Sequence, residues 1–93
     1  MNEKKIEKMA AVLKVLGHPD RLRILSCLIE EGCYVKEISE KLDLHQSTVS
    51  QHLRVMSDKG ILMAHREGVK VCYEPTDCLA RKIAEIVLEA CED

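Results

Sequence analysis

Two short apolar patterns set close together in mid-chain constrain this fold more than any other feature of the sequence. Val35, Ile38 and Leu42 recur at steps of three and four, and Val49, Leu53 and Met56 at steps of four and three. That spacing lines apolar side chains along one face of an α-helix. Only Asp43, Leu44 and His45 separate the two patterns. A helix of about eight residues, a tight turn and a helix of about twelve make a helix-turn-helix.

The flanking segments extend this motif into a domain. Gly60 ends the second helix, and residues 61–66 and 69–75 flank Glu67 and Gly68, where glycine supplies the positive φ of a hairpin turn. Upstream, Ile6, Met9, Ala10, Leu13 and Leu16 predict a helix over 3–16 followed by Gly17. Pro19 suits the first turn of the next helix, whose Leu22, Leu25, Leu28 and Ile29 run toward Gly32. Thr76 or Asp77 can cap a last helix over 77–91 with an apolar stripe of Leu79, Ile83, Ile86, Val87 and Ala90. The expected architecture is mostly α with a small β-hairpin, a winged helix-turn-helix forming a single domain over residues 1–93.

Composition adds a constraint on assembly. With two Tyr and no Phe or Trp among 93 residues, the core must be aliphatic and thin. A chain this small removes only about 60% of its unfolded surface from water, so a second copy covering an apolar helix face is expected, giving a homodimer. The longest apolar run, Met9 to Leu13, falls far short of the ~20 residues needed to cross a bilayer, and the first five residues carry no apolar signal core. The expectation is a soluble, cytoplasmic protein without a membrane partner. Five Cys, at 27, 33, 72, 78 and 91 with no Cys-x-x-Cys pair, predict reduced thiols rather than a disulfide framework.

Net charge is −2, which excludes binding of nucleic acid by bulk positive charge. The charge is unevenly placed. Residues 47–70 carry Arg54, Lys59, Arg66 and Lys70 against Asp58 and Glu67, whereas residues 76–93 are acidic. An anion-binding surface therefore belongs to the middle of the chain. With Val49, Leu53 and Met56 buried, the 100° helical step turns Ser47, Gln51, Arg54 and Asp58 to the opposite side. Ser47, Thr48 and Gln51, in the N-terminal half of that helix, are the candidate base readers in a DNA major groove. Gln46, Ser50 and Arg54 are candidates for phosphate, and Arg66 and Lys70 flank a hairpin tip suited to the backbone or minor groove. His52 flanks the buried stripe and reads as a packed, hydrogen-bonded side chain, while His45 and His65 are further candidates for phosphate. No enzyme motif occurs, neither a glycine-rich phosphate loop, a Gly-x-Ser-x-Gly elbow nor His-Glu-x-x-His. The other class compatible with these residues is a winged helix used for protein contact, its polar helix face merely solvated.

The segments Leu16 to Leu25, His45 to Leu53 and Arg66 to Gly68 leading to Tyr73 resemble, in one register, the ArsR/SmtB family of bacterial winged-helix repressors. The resemblance implies a homodimer joined by its first and last helices. It also implies a partly palindromic operator that is released when an inducer binds. Such repressors sense metals, arsenite or reactive sulfur. The family's helix-three metal site needs Cys within 35–42, and its last-helix zinc site needs His within 77–93; this chain has neither. All four His, at 18, 45, 52 and 65, lack a neighbour at ligand spacing, so no zinc site is evident and no resident cofactor is expected.

In one subgroup of the family, a Cys from the second helix and one from the last helix form a pair that responds to persulfide or oxidant. Cys91 matches that pattern. Cys27 falls one residue after the subgroup's position, which is Ser26 here, a turn of about 100° on the helix. Cys27 can equally be a small buried hydrophobe. Cys33, Cys72 and Cys78 are weaker candidates. Cys72 and Cys78 with a third thiolate could hold arsenite or another soft metal as inducer, and Cys78 opens a helix whose N-terminus favours a thiolate.

Overall fold

The computed structural model describes residues 1–31 and 34–91. Five helices and one hairpin follow in the order α1 (Glu3–Leu16), α2 (Pro19–Glu30), α3 (Val35–Leu42), α4 (Gln46–Asp58), β1 (Leu62–Glu67), β2 (Lys70–Pro75) and α5 (Cys78–Ala90). This is a winged helix-turn-helix, with α3 and α4 as the motif and the hairpin as the wing.

Local chemistry fixes the helix starts. Asn2 Oδ1 accepts from the Lys5 amide at 3.1 Å, His18 Nδ1 from Asp20 at 3.1 Å, and Asp77 Oδ2 from Ala80 at 2.9 Å. Each satisfies a first-turn N–H that the helix itself leaves unpaired. Of the two residues proposed to cap the last helix, Asp77 does so. Between α3 and α4, Asp43 takes the left-handed conformation at φ 54° and the Leu44 amide donates to Ser39 O at 3.0 Å, which turns the chain sharply.

Ile24, Leu25, Ile38, Val49, Leu53, Met56 and Ile61 are fully buried and form an aliphatic core shared by α2, α3, α4 and the start of the wing. Ile61 ties the core to the wing: its amide donates to Met56 O at 2.9 Å and its carbonyl accepts from Thr76 and Asp77. The wing pairs Leu62 with Pro75 through to Glu67 with Lys70 in antiparallel register. Its two-residue turn is Gly68 and Val69, one residue later than the sequence indicated. Gly68 has φ 66° and Val69 is not among the positive-φ residues, the sign pattern of a type II′ turn.

The outer helices differ from the sequence reading. In α1 the buried residues are Val12, Val15 and Leu16, whereas Ile6, Met9 and Leu13 remain 43–48% exposed. In α5 only Ala80 and Ala84 are buried, Leu79 and Ile83 pack at the core's edge, and Ile86 is 58% exposed. The single chain uses one flank of each helix and leaves much of the predicted stripe facing outward. None of the described helices is long and apolar enough to cross a membrane.

Candidate functional site

Helix α4 is held by Val49, Leu53 and Met56, all at 0% exposure, so its other side must face outward. Gln46, Ser47, Ser50, Gln51 and Arg54 are exposed there, and Thr48 is half-buried at the edge. His45 occupies the N-cap without a side-chain cap bond. The first-turn amides of α4 are thus left for an external acceptor, at the end of the helix that favours negative charge.

A contact not foreseen from the sequence braces this helix. Arg21 of α2 donates from Nε to His52 Nδ1 at 3.2 Å and from Nη1 to the Val15 carbonyl at 3.1 Å. One guanidinium therefore links the end of α1 to the middle of α4. Because His52 accepts from a permanently charged donor, its imidazole must be neutral. Burial holds its pKa below the ordinary value, with His18 and Arg21 acting in the same direction and Asp20 opposing. His18, Asp20 and His52 have ligand atoms within 4.8 Å of one another, and the rings of His18 and His52 lie 4.6 Å apart. Tertiary proximity thus supplies neighbours that sequence spacing did not show. Both Nδ1 atoms act as acceptors, however, and a histidine binding metal through Nε2 carries its proton on Nδ1. The cluster is built as a hydrogen-bonded joint around a neutral His52.

In the wing, cross-strand pairing puts Lys70 on the same face as Glu67, and Arg66 with Val71 on the other. The two basic residues are brought to one tip but to opposite sides of it. Val69, at the tip, is 96% exposed. His65 lies 3.6 Å from Glu67 Oε1 through Nε2.

The cysteines separate into distinct environments. Cys27 and Cys91 line the same cavity, about 610 Å³, between α2, α3 and the end of α5, together with Ser26, Leu42, Val87 and Leu88. Ser26 also faces it, so the one-residue offset of Cys27 does not remove that side chain from the space. Cys27 is 7% exposed, and burial pushes its thiol pKa up; Lys41 opposes this, and Glu31, Glu30 and Glu37 add to it. Lys41 in turn pairs with Glu31 and, at 3.8 Å, with Glu30. Cys91 and Cys78 are free and exposed.

Cys72 departs from the expectation of reduced thiols: it is disulfide-bonded and 4% exposed. Sequence spacing carries no information about which sulfurs meet, and here tertiary packing brings one to Cys72. Among the described residues, Cys72 lies with His65 and Glu67 in a group whose ligand atoms are within 4.8 Å of one another, and no such group contains Cys78. Cys33 lies outside the described residues.

An outward polar helix face beside a basic hairpin tip defines a protein of the winged helix-turn-helix class. The comparisons agree. The helix-turn-helix domain family matches residues 16–64. The biofilm growth-associated repressor of Agrobacterium fabrum is 37% identical over 84 residues, covering 89% of this chain and 71% of that protein. Reduced HlyU from Vibrio cholerae superposes with a TM-score of 0.86 at 30% identity, over 97% of this chain and 96% of that one. A homodimeric winged helix-turn-helix DNA-binding domain from Mycobacterium bovis, described as a possible ArsR-family transcriptional regulator, superposes with a TM-score of 0.77 at 27% identity, over 97% and 86% of the two chains. The chain belongs to the helix-turn-helix transcriptional regulators of the ArsR winged-helix type, a family of DNA-binding proteins and not of enzymes.

Proposed function

We propose that this protein is a homodimeric transcriptional repressor whose grip on its operator is released by chemistry at Cys27 and Cys91. The observation that carries this reading is that these two thiols, far apart in sequence, line one cavity between α2 and α5. Ser47, Thr48 and Gln51 would read base edges, and Gln46, Ser50 and Arg54 would hold phosphates. Arg66 and Lys70, on opposite faces of the wing, suit a tip that enters a minor groove edge-on, with one cation toward each backbone strand. The open flanks of α1 and α5, with Ile6, Met9, Leu13 and Ile86, are the natural surface for the partner copy.

Of the two thiols that line the cavity, Cys91, exposed and free, is the one that a persulfide reaches first. Its thiolate takes the outer sulfur of the donor and releases the donor thiol. Attack by Cys27 on the inner sulfur would then close a bridge and expel hydrosulfide; extra sulfur is retained if Cys27 has itself been persulfidated. A bridge across the α2–α5 cavity repositions α5 at the subunit boundary and moves the two α4 helices off the one-turn spacing, about 34–36 Å, that a palindromic operator requires. A coupling of about 1–3 kcal/mol changes occupancy roughly 5–150-fold.

Selection of duplexes from a random library tests the DNA reading, with an enriched inverted repeat expected. Failure to enrich any sequence would leave a winged helix that contacts protein. Mass spectrometry of the reduced protein after a persulfide donor, peroxide or arsenite, with every Cys mapped, tests the inducer. A Cys27 to Cys91 cross-link is expected with the donor, bearing extra sulfur where Cys27 has also been persulfidated. Arsenite retained by cysteines would make the protein a metalloid repressor, and no modification of Cys91 would remove it from the mechanism. Cys91→Ser should bind operator normally but no longer release it.

A further inference from the structure

The wing is fastened by more than its own turn. Tyr34, the residue before α3, meets it three times. Its backbone forms an antiparallel bridge with Cys72 of β2, a strand whose other edge is paired to β1. Its hydroxyl donates to Glu67 Oε2 at 2.6 Å. Its ring carries the Lys70 ammonium 4.7 Å from the centroid. Glu67 and Lys70 are paired across the hairpin and enclose its turn, so a single tyrosine grips both residues that bracket the tip.

For a surface that meets a polyanion, these two residues have opposite consequences. Lys70 attracts phosphate, and Glu67 repels it. The tyrosine hydroxyl fixes one carboxylate oxygen toward the start of α3, and the other lies 3.6 Å from His65. The ring meanwhile restricts the lysine side chain, which reduces the rotamer freedom it must give up when it meets a phosphate.

We propose that Tyr34 is a positioning residue for DNA binding, setting the wing against the helix-turn-helix and holding the Glu67 carboxylate away from the phosphates that Lys70 meets. This rests on the DNA-binding function proposed above. The residue sits outside both the recognition helix and the hairpin, and no sequence motif marks it. It acts through its neighbours, since its hydroxyl is already occupied by Glu67.

The test compares wild type, Tyr34→Phe, Glu67→Gln and the double variant on a duplex selected by the wild-type protein, using fluorescence anisotropy and hydroxyl-radical footprinting. Tyr34→Phe keeps the ring under Lys70 and releases only the carboxylate. It is expected to weaken binding roughly 3- to 5-fold, the scale of one exposed charge interaction. Footprint protection should fade at the outer sugars covered by the wing and persist at those flanking α4. A loosened fold would weaken both regions together. In the Glu67→Gln background the same substitution should cost little, because no carboxylate remains to be restrained. Wild-type affinity and outer protection in Tyr34→Phe would overturn the proposal, as would an equal loss in both backgrounds. If the wild-type protein selects no duplex at all, the DNA-binding reading itself fails, before any variant is compared.

Discussion

Arg54→Ala gives the sharpest test of how α4 meets DNA. Arg54 is exposed, one turn beyond Ser50, and among the described residues it makes no ion pair or side-chain hydrogen bond. Removing it therefore leaves the fold intact, within about 0.5 kcal/mol as for other surface positions away from special features. If the guanidinium neutralises one phosphate, its loss cancels the release of about 0.9 counterion per subunit. The slope of log affinity against log salt then flattens by about 1.8 for a symmetric dimer. At about 0.15 M salt that release corresponds to about 1 kcal/mol per contact, so the dimer loses about 2 kcal/mol, or about 30-fold in affinity. Anisotropy titrations on the selected duplex between about 50 and 200 mM salt measure both quantities, and a thermal melt confirms the fold. An unchanged slope would refute the assignment of Arg54 to phosphate. A large affinity loss at constant slope would instead place Arg54 on a base edge.

Other substitutions probe the core, the joint and the dimer surface. Leu53→Ala, at a position with no exposure, should lower unfolding free energy by about 2–5 kcal/mol in denaturant titrations and weaken DNA binding with it, since α4 loses its anchor. The lowered His52 pKa means that the unfolded chain binds the proton more readily than the folded one. Its stabilising contribution is complete above the ordinary histidine pKa of about 6.5 and is lost as pH falls from there through the folded value. His52→Gln should remove that part of the stability-versus-pH curve, and an unaltered curve would contradict a neutral His52. Leu13→Glu and Ile86→Glu, each on an exposed apolar flank, should shift sedimentation from dimer toward monomer without unfolding the subunit. Iodoacetamide should label Cys91 well before Cys27, because Cys27 is buried with its thiol pKa raised; equal rates would contradict that environment.

Much of this protein was legible because its information is local. The steps Val35, Ile38, Leu42 and Val49, Leu53, Met56 are periodic within each helix, and burying one face of α4 leaves Ser47, Gln51 and Arg54 outward by geometry alone. Pro19, Asp43, Gly60 and Gly68 act through their own backbones, so the breaks fell where they were read, the hairpin turn being one residue late. Periodicity did not reveal which part of a stripe a neighbour covers. Val12 and Val15 of α1 pack inward while Ile6, Met9 and Leu13 stay open, because the 3.6-residue repeat marks the whole apolar stripe and not the flank that a neighbouring helix covers.

Spacing within single elements was enough to specify the helix-turn-helix, the wing and the residues that face outward from α4. The long-range meetings came from packing between elements. It brought Arg21 to His52 and Val15, Tyr34 to Glu67 and Lys70, Cys27 and Cys91 to one cavity, and Cys72 into a disulfide. The physical reason is that such contacts are made between elements whose relative placement is set by packing of the shared aliphatic core, and no periodicity along the chain encodes which side chains that packing will bring together.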